Sequence, residues 1–484
     1  MTDQPVQNCG KCGLCLSVCP VYKVLKQEQA SPRARLQLIK AYEKKDLSAS
    51  PLLKDLVSQC LMCGACKVAC PSGINHYAKF MEMRQQLAKA QPDPPAIRSL
   101  VYLLAKEYRL RMGANLARIG RRLTPAAFAH KYKIGNIPVS RFPEMNRRPF
   151  RSTLPRVSPA RGIPKSDSRG GSREGSMDDS WGDSRENPSG DFRGSPRGNA
   201  KGNPRGRVIY FTGCATNYLF ADTGQATVDI LTRLGYEVVI PPSQTCCGIP
   251  MMFHGARDHA CENMAVNLTA LQGAIQGAGH ENDRPDVDNT ARDAAVENCE
   301  AVIVDCTTCG AALKDEYPAL MHTLSGSRHK ALTQKIIPDM PDTIAAKTRD
   351  ILSFLHDHID DLAAAMTSDT PKHKVIYHAP CHSKNSFNSL AKVQALLKAL
   401  PCFDYIPVQD EAACCGGGGT FFYEYPDISK KMMAKKLASA RAAGADYWLT
   451  DCPVCRINLH GSLSEKDTLT VVHPVTLISK GLGE

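Results

Sequence analysis

The run C-x2-C-x2-C-x3-C-P occurs twice in this chain. Cys9, Cys12, Cys15 and Cys19 precede Pro20, and Cys60, Cys63, Cys66 and Cys70 precede Pro71. Three thiols two residues apart wrap one face of an iron–sulfur cube on a tight loop. The fourth, followed by proline, points away to a second cube. The expected crossed assignment puts Cys9, Cys12, Cys15 and Cys70 on one [4Fe–4S] cluster, and Cys60, Cys63, Cys66 and Cys19 on the other. Zinc also takes four thiolates, but its sites commonly use two C-x2-C pairs rather than four cysteines in one run with a trailing proline.

This spacing is that of the bacterial two-cluster ferredoxins. The interval between the runs is longer than in a minimal ferredoxin. It contains SPRARLQLIKAYEKKDL, which reads as a helix between the clusters, as in the helical ferredoxins of respiratory iron–sulfur subunits. Two adjacent cubes make a wire and have no evident substrate chemistry of their own.

The whole chain has 484 residues and 21 cysteines, enough length for two or three domains. No basic region followed by an apolar stretch opens it, which predicts a chain that is not secreted. Clustered thiols in a reducing compartment are metal ligands or redox groups more often than disulfides. No apolar run reaches the roughly 18–20 residues of a membrane-spanning helix. Charge is uneven: residues 1–150 carry net +16, 151–206 net +4 and 207–484 net −8. That asymmetry predicts oriented docking to an acidic partner or to anionic headgroups; the plainer reading is a solubilising surface.

Composition divides the chain further. Residues 1–90 hold the two cysteine runs, and 91–150 read as a basic helical connector. Within it, Ile97, Val101, Leu104, Tyr108, Met112, Leu116, Ile119 and Leu123 are spaced as one helical stripe, with Arg98, Lys106, Arg109, Arg111, Arg118, Arg121 and Arg122 among them. Packing of this stripe on its own domain or on a partner is the expectation, and an anionic membrane surface the alternative. Gly, Ser and Pro make up 26 of the 56 residues in 151–206, which predicts a disordered linker. Interleaved acids and few aromatics argue against nucleic-acid binding there.

From 207 onward strands alternate with helices, the pattern of parallel sheets covered on both faces. Strands are expected at RVIYFTG (207–213), YEVVI (236–240) and AVIVD (301–305), helices at 221–235 and 256–273, and a polar loop at 274–298. The layout then recurs: KVIYHAPC (374–381) mirrors RVIYFTGC, FDYIPV (403–408) mirrors YEVVIP, and DYWLTDC (446–452) mirrors AVIVDC. The chain is internally duplicated. The expected units are 207–325 and 371–484, with a connector at 326–370.

Each copy carries five cysteines in one order: Cys214, Cys246, Cys247, Cys306 and Cys309 in the first, Cys381, Cys414, Cys415, Cys452 and Cys455 in the second. They fall at the C-terminal ends of strands, where open α/β sheets place ligand sites. Adjacent cysteines suit neighbouring irons of a larger cluster better than one ion. Glycines follow them (Gly248, and Gly416 to Gly419), letting backbone approach a bulky inorganic core. Core thiols, zinc or an ordinary cube are the alternatives. Cys261, Cys299 and Cys402 have no counterpart between the copies and read as plain thiols. Of the nearby histidines, His254, His378 and His382, none is read as a ligand. His378 and His382 flank Cys381 and are candidate proton donors if chemistry occurs there. No residue is assigned as catalytic.

The duplicated set resembles the cysteine-rich (CCG) domain pair of the heterodisulfide reductase catalytic subunit, where each five-cysteine set holds a noncubane iron–sulfur cluster. Together with both ferredoxin runs, CPSG after Cys70 and SPRARLQLI, the chain resembles the iron–sulfur subunits of glycolate oxidase and D-lactate dehydrogenase. The third subunit of anaerobic glycerol-3-phosphate dehydrogenase is similar. The resemblance covers about 5–90 and 207–480. It implies an α+β multi-domain protein: a helical two-[4Fe–4S] ferredoxin domain followed by a duplicated α/β CCG pair. It also implies an electron-transfer subunit, inactive alone on the hydroxy acid, that passes electrons from an FAD-containing dehydrogenase to quinone or another carrier. Such a subunit would be cytoplasmic, or peripheral on the inner membrane face. The complete Cys452-x2-Cys455 in DCPVCRINL leans toward the glycerol-3-phosphate and heterodisulfide cousins, and the linker is extra. No G-x-G-x-x-G opens a dinucleotide fold, so flavin is expected on a partner. The competing readings are a heterodisulfide-type thiol–disulfide enzyme and the iron–sulfur subunit of an anaerobic glycerol-3-phosphate dehydrogenase.

Overall fold

The computed structural model describes residues 9–124, 132–135, 137–162, 204–277, 299–324, 330–367 and 370–483. The N-terminal part is built from short helices, α1 (Leu14–Val18), α2 (Pro20–Leu25), α3 (Pro32–Glu43), α4 (Pro51–Ser58), α5 (Ala65–Val68) and α6 (His76–Ala90). Sequence chemistry starts them cleanly. Ser31 caps α3 by accepting from Ala34 N, Ser50 caps α4 by accepting from Leu53 N, and a proline follows each at the first helical position. Helix α3 is the helix expected between the cysteine runs.

Arg35 of α3 is fully buried, with its guanidinium donating to the carbonyls of Leu56 (2.8 Å), Ala30 (2.7 Å) and Gln59 (3.1 Å). At about 1.5–3 kcal/mol per charged hydrogen bond, this is a structural rivet clamping α3 to the end of α4. Arg84 of α6 does the same across a boundary. It donates to Ser58 O (2.9 Å) and Cys60 O (2.6 Å) on one side and to Phe253 O (2.9 Å) on the other.

The stripe expected over 97–123 divides into two helices, α7 (Pro95–Leu104) and α8 (Glu107–Leu123), broken at Lys106, whose backbone is extended (φ −143°, ψ 133°). The break shifts the phase. Ile97, Val101 and Leu104 are buried, but Tyr108, Met112, Leu116, Ile119 and Leu123 are each 51–77% exposed. The stripe packs on its own domain in α7 but not in α8, which buries no residue fully.

Two short strands, β1 (Lys133–Ile134) and β2 (Ile137–Pro138), form a small antiparallel ribbon. The region read as a linker is structured at both described ends. Val157–Ser158 forms β3, and Gly206 begins β4 (Gly206–Phe211). Strand β3 adds antiparallel to β5 (Tyr236–Val239), and its two residues are too few for a periodic signal. Residues 163–203 and 278–298, which include the rest of the expected linker and nearly all of the expected polar loop, lie outside the described residues.

The first sheet runs β3-β5-β4-β6-β7, with β6 at Cys299–Val304 and β7 at Thr348–Asp350; all pairs except β3–β5 are parallel. The second runs β11-β10-β8-β9 and is fully parallel, with β8 at His373–Tyr377, β9 at Phe403–Tyr405, β10 at Tyr447–Leu449 and β11 at Thr470–Val472. Strands β5, β4, β6 and β7 thus match β9, β8, β10 and β11. The stretch read as a connector, 326–370, is therefore part of the first repeat, because it supplies β7 and the helix Ile351–His356.

The repeats also exchange helices. Ile351–His356, which follows β7, packs on Leu390–Ala399 of the second repeat. Pro474–Gly481, which follows β11, packs on Ala221–Arg233 of the first. One core consequently holds Ile230, Leu231, Leu352, Leu396, Leu477 and Ile478. Leu477→Ala should cost about 2–5 kcal/mol by the usual cavity penalty, read from chemical denaturation of the full chain. A loss below about 0.5 kcal/mol, the range of surface substitutions, would show that the exchanged helix is not integral.

Candidate metal centres

All 21 cysteines are free thiols. The two ferredoxin runs take matching backbone paths. Lys11 and Met62, each just before the second cysteine of its run, are left-handed (φ 55° and 52°), as are Gly13 and Gly64 just after it (φ 84° and 76°). These repeated reversals curl each run around one small volume. Charge on the buried Cys19 thiol is felt by Cys60 and Cys63, and burial pushes it up to about 11. Cys15 interacts in the same way with Cys9 and Cys12. Cys19 therefore sits with the thiols of the other run. Cys70 packs half-buried against the core that holds Cys15.

In the duplicated half, Cys214 enters the helix Gly213–Tyr218 directly after β4, and Cys381 follows β8. Cys246–Cys247 and Cys414–Cys415 lie on the loops after β5 and β9, each before a left-handed glycine. Cys306 and Cys452 cap short helices with nearly the same backbone (φ −123°, ψ 112° and φ −133°, ψ 120°), and Cys309 and Cys455 follow one turn later.

The thiols touch in series. In the first repeat Cys214 contacts Cys246, Cys246 contacts Cys247, Cys247 contacts Cys309 and Cys309 contacts Cys306. In the second, Cys381 contacts Cys414, and Cys415 contacts Cys455, which contacts Cys452. Two further contacts join the sets. Cys306 meets Cys452 between the repeats, and Cys63 of the ferredoxin part meets Cys381. Asn385 holds the second junction by donating to Cys63 O at 2.7 Å. Gly418 lies close by: a Cβ there would fall 2.4 Å from Leu61 Cδ2. This glycine serves the approach of the two parts as well as any cluster.

The electrostatics fit a metal–sulfur core. Contact with Cys246 and burial hold the Cys214 thiol well above its ordinary range, and contacts with Cys415 and Cys452 do the same to Cys455. Contact with Cys381 brings Cys63 down to about 7, while contacts with Cys246 and Cys309 bring Cys247 down to about 5. So many crowded, buried thiols cannot all ionise without positive charge among them, and iron supplies it. Backbone N–H groups already aim at sulfur: Gly416 N lies 3.3 Å from Cys414 Sγ, Met62 N 3.4 Å from Cys60 Sγ and Tyr22 N 3.5 Å from Cys19 Sγ. Such bonds tune cluster potential.

Sequence reasoning missed a duplicated tyrosine–aspartate pair. Tyr210 OH donates to Asp305 Oδ2 (2.8 Å) and Tyr377 OH to Asp451 Oδ1 (2.7 Å), each aspartate directly preceding a site cysteine. Burial raises Asp305 to about 6 and Asp451 to about 8. What repeats in sequence is a tyrosine four residues before Cys214 and Cys381 and an aspartate directly before Cys306 and Cys452. The histidines separate. His254 bridges Asp93 Oδ2 (3.0 Å) and Thr420 Oγ1 (2.7 Å), tying three parts of the chain together. His382 Nδ1 lies 3.1 Å from Thr308 Oγ1, which is 3.7 Å from Cys452 Sγ. His378 is buried against Cys415 and Cys455. Cys261, Cys299 and Cys402 are buried, and burial pushes their thiols up to about 11, 11 and 12.

Comparison with known proteins agrees with this division. Residues 5–74 match a 4Fe-4S dicluster domain, and 208–314 and 375–460 each match a cysteine-rich domain. A probable glycolate oxidase iron-sulfur subunit of Bacillus subtilis is 27% identical over 469 residues, 95% of this chain and 89% of that protein. Lactate utilization protein A of Oceanobacillus iheyensis is 28% identical over 277 residues, 56% of this chain and 96% of that protein. A fumarate reductase (CoM/CoB) component of Methanothermobacter marburgensis is 27% identical over 272 residues, 56% of this chain; the chain spans only 45% of that protein's length.

Proposed function

Because the chain belongs with the iron–sulfur proteins that join a 4Fe-4S dicluster domain to paired cysteine-rich domains, a group that includes glycolate oxidase iron-sulfur subunits, we propose that it is the electron-transfer subunit of a flavin-dependent 2-hydroxy-acid dehydrogenase. The donor is glycolate or D-lactate, oxidised on a separate FAD-containing subunit, and the acceptor is quinone or another carrier. The observation that carries this reading is the pair of thiol contacts that join the three cysteine groups, Cys63 with Cys381 and Cys306 with Cys452.

In this reading Cys9, Cys12, Cys15 and Cys70 hold one cube, and Cys60, Cys63, Cys66 and Cys19 the other. The two five-cysteine sets hold further iron–sulfur centres. When bound, the clusters supply one-electron chemistry. The chain's own residues fix their spacing, bury them from water and aim N–H groups at sulfur. The test is anaerobic mixing with an FAD-containing dehydrogenase turning over D-lactate or glycolate. Bleaching of the cluster absorbance is expected. If neither acid bleaches it while the dithionite-reduced chain, without the flavoprotein, passes two electrons to a disulfide substrate and is itself reoxidised, the heterodisulfide-type reading, which the complete Cys452–Cys455 pair favours, takes its place.

Helix α8 supports a peripheral place on an anionic membrane face. No helix among the described residues is long and apolar enough to cross a membrane. The exposed Tyr108, Met112, Leu116, Ile119 and Leu123 instead share the helix with Arg109, Arg111 and Arg122, the make-up of an interfacial helix. Arg118 and Arg121 are less suited to a charge test, because they donate to the carbonyls of Arg147 and Phe142. Replacing Met112, Leu116 and Ile119 with serine should abolish sedimentation with anionic vesicles while leaving iron content unchanged. Wild-type binding should also weaken with salt, since charges are screened over about 8–10 Å at 0.1–0.15 M. Unaltered sedimentation of the triple variant would remove α8 from the interface.

A further inference from the structure

Aligning the repeats by their tyrosine–aspartate pairs puts Tyr377 on Tyr210 and Cys381 on Cys214, so His378 occupies the place of Phe211. The copies differ here in a way that bears on metal chemistry. His378 is 1% exposed. Its main chain is fixed, with N donating to Leu449 O at 2.8 Å and the next residue, Ala379, donating to Glu411 O at 3.1 Å. Neither ring nitrogen has a nitrogen or oxygen partner; the ring's polar neighbour is the Cys415 thiol. A buried imidazole without a nitrogen or oxygen partner is destabilising, and the position accepts an apolar ring in the other copy.

A ring nitrogen of His378, Cys415 Sγ and Cys455 Sγ lie within 4.8 Å of one another. Among the described residues, this is the one trio of His, Cys, Asp or Glu side chains whose ligand atoms converge so closely. A cluster spreads its thiolates over separate irons, whereas three ligand atoms gathered this tightly suit a single ion. Iron accepts imidazole beside sulfur, and in Rieske centres histidine ligation raises the potential. Ligating histidines commonly give their other N–H to a carboxylate. Glu411 lies near enough for its charge to be felt by His378, and its buried Oε1 has no partner.

We propose that His378 is a metal ligand of the second cysteine-rich centre, sharing one iron with Cys415 and Cys455. The first centre, with Phe211 in that place, is ligated by sulfur alone. This rests on reading the second cysteine set as an iron–sulfur centre. The two centres are then chemically distinct, the second having the higher potential of the pair.

The test uses the full chain, purified anaerobically with 15N-labelled histidine, and compares wild type with His378→Phe by iron analysis and electron–nuclear double resonance. Phenylalanine is already packed at the matching position, so the variant should fold and keep its ferredoxin signals. Expected is a strong nitrogen coupling on one signal beyond the two cubes, lost in His378→Phe, with a lowered midpoint potential for that signal alone. Iron beyond eight atoms (about four per cube) with no coupling, or only the weak coupling of a hydrogen-bonded nitrogen, overturns the ligand assignment while leaving the centre in place. Eight irons and no further signal overturn both. A strong coupling that survives in His378→Phe also overturns it.

Discussion

Replacing Cys63 with serine is expected to remove one cubane signal and about four irons, and to stop electron flow between the ferredoxin part and the cysteine-rich repeats. The effect should be near-complete because Cys63 has two roles. It belongs to the second ferredoxin run, and among the described residues it is the ferredoxin thiol that contacts a thiol of the duplicated sets. The repeats should still fold, since Cys63 lies outside the clusters that pack their two sheets and adjoins only the small one shared with Phe421 and Met432. Asn385→Ala is the graded companion. It removes the 2.7 Å bond to Cys63 O without removing a thiol, so it should slow transfer and leave iron content intact. Both variants are read by metal analysis, low-temperature EPR and dye reduction driven from the proposed flavoprotein partner. Wild-type turnover in Cys63→Ser would place the route elsewhere.

Serine at Cys247 or Cys415 is expected to be as severe by a different route. Each thiol is fully buried and contacts partners of its own set, Cys246 and Cys309 for Cys247, and Cys455 for Cys415. A hydroxyl binds iron poorly where a thiolate is needed and leaves the remaining buried thiols crowded without a counter-charge. Iron beyond the eight of the two cubes should fall in each variant, and coupled quinone or dye reduction should drop to background. The ferredoxin signals should persist. Variants that keep full iron and full turnover would mean these cysteines are not cluster ligands.

The parts legible in sequence are those written locally. The two cysteine runs, helix α3 with its Ser31–Pro32 start, and the strand-ending cysteines of each repeat all follow from short-range spacing. Strands β4, β5, β6, β8, β9 and β10 lie where apolar runs predict them. Short or long-range features are hidden. Strand β7 is only Thr348–Asp350, too brief for a period-two pattern, although TRDILSFL and TVVHPVTLI occupy matching places. Helix α8 escapes the pattern because a single stripe counted through the extended residue Lys106 loses its phase there. The contacts Cys63–Cys381 and Cys306–Cys452 join residues 318 and 146 positions apart, and no local spacing encodes them. His378 becomes informative only when the Tyr210 and Tyr377 pairs fix the alignment and Phe211 falls opposite it.

A continuous iron–sulfur path predicts magnetic neighbours. The most direct measurement is EPR of the partly reduced full-length protein, with the ferredoxin clusters and the second cysteine-rich centre paramagnetic together. Dipolar broadening and enhanced relaxation of one ferredoxin signal are expected, both relieved in Cys415→Ser. Ferredoxin signals with the same line shape and relaxation in wild type and Cys415→Ser, in protein carrying its full iron, would contradict a path through Cys63 and Cys381.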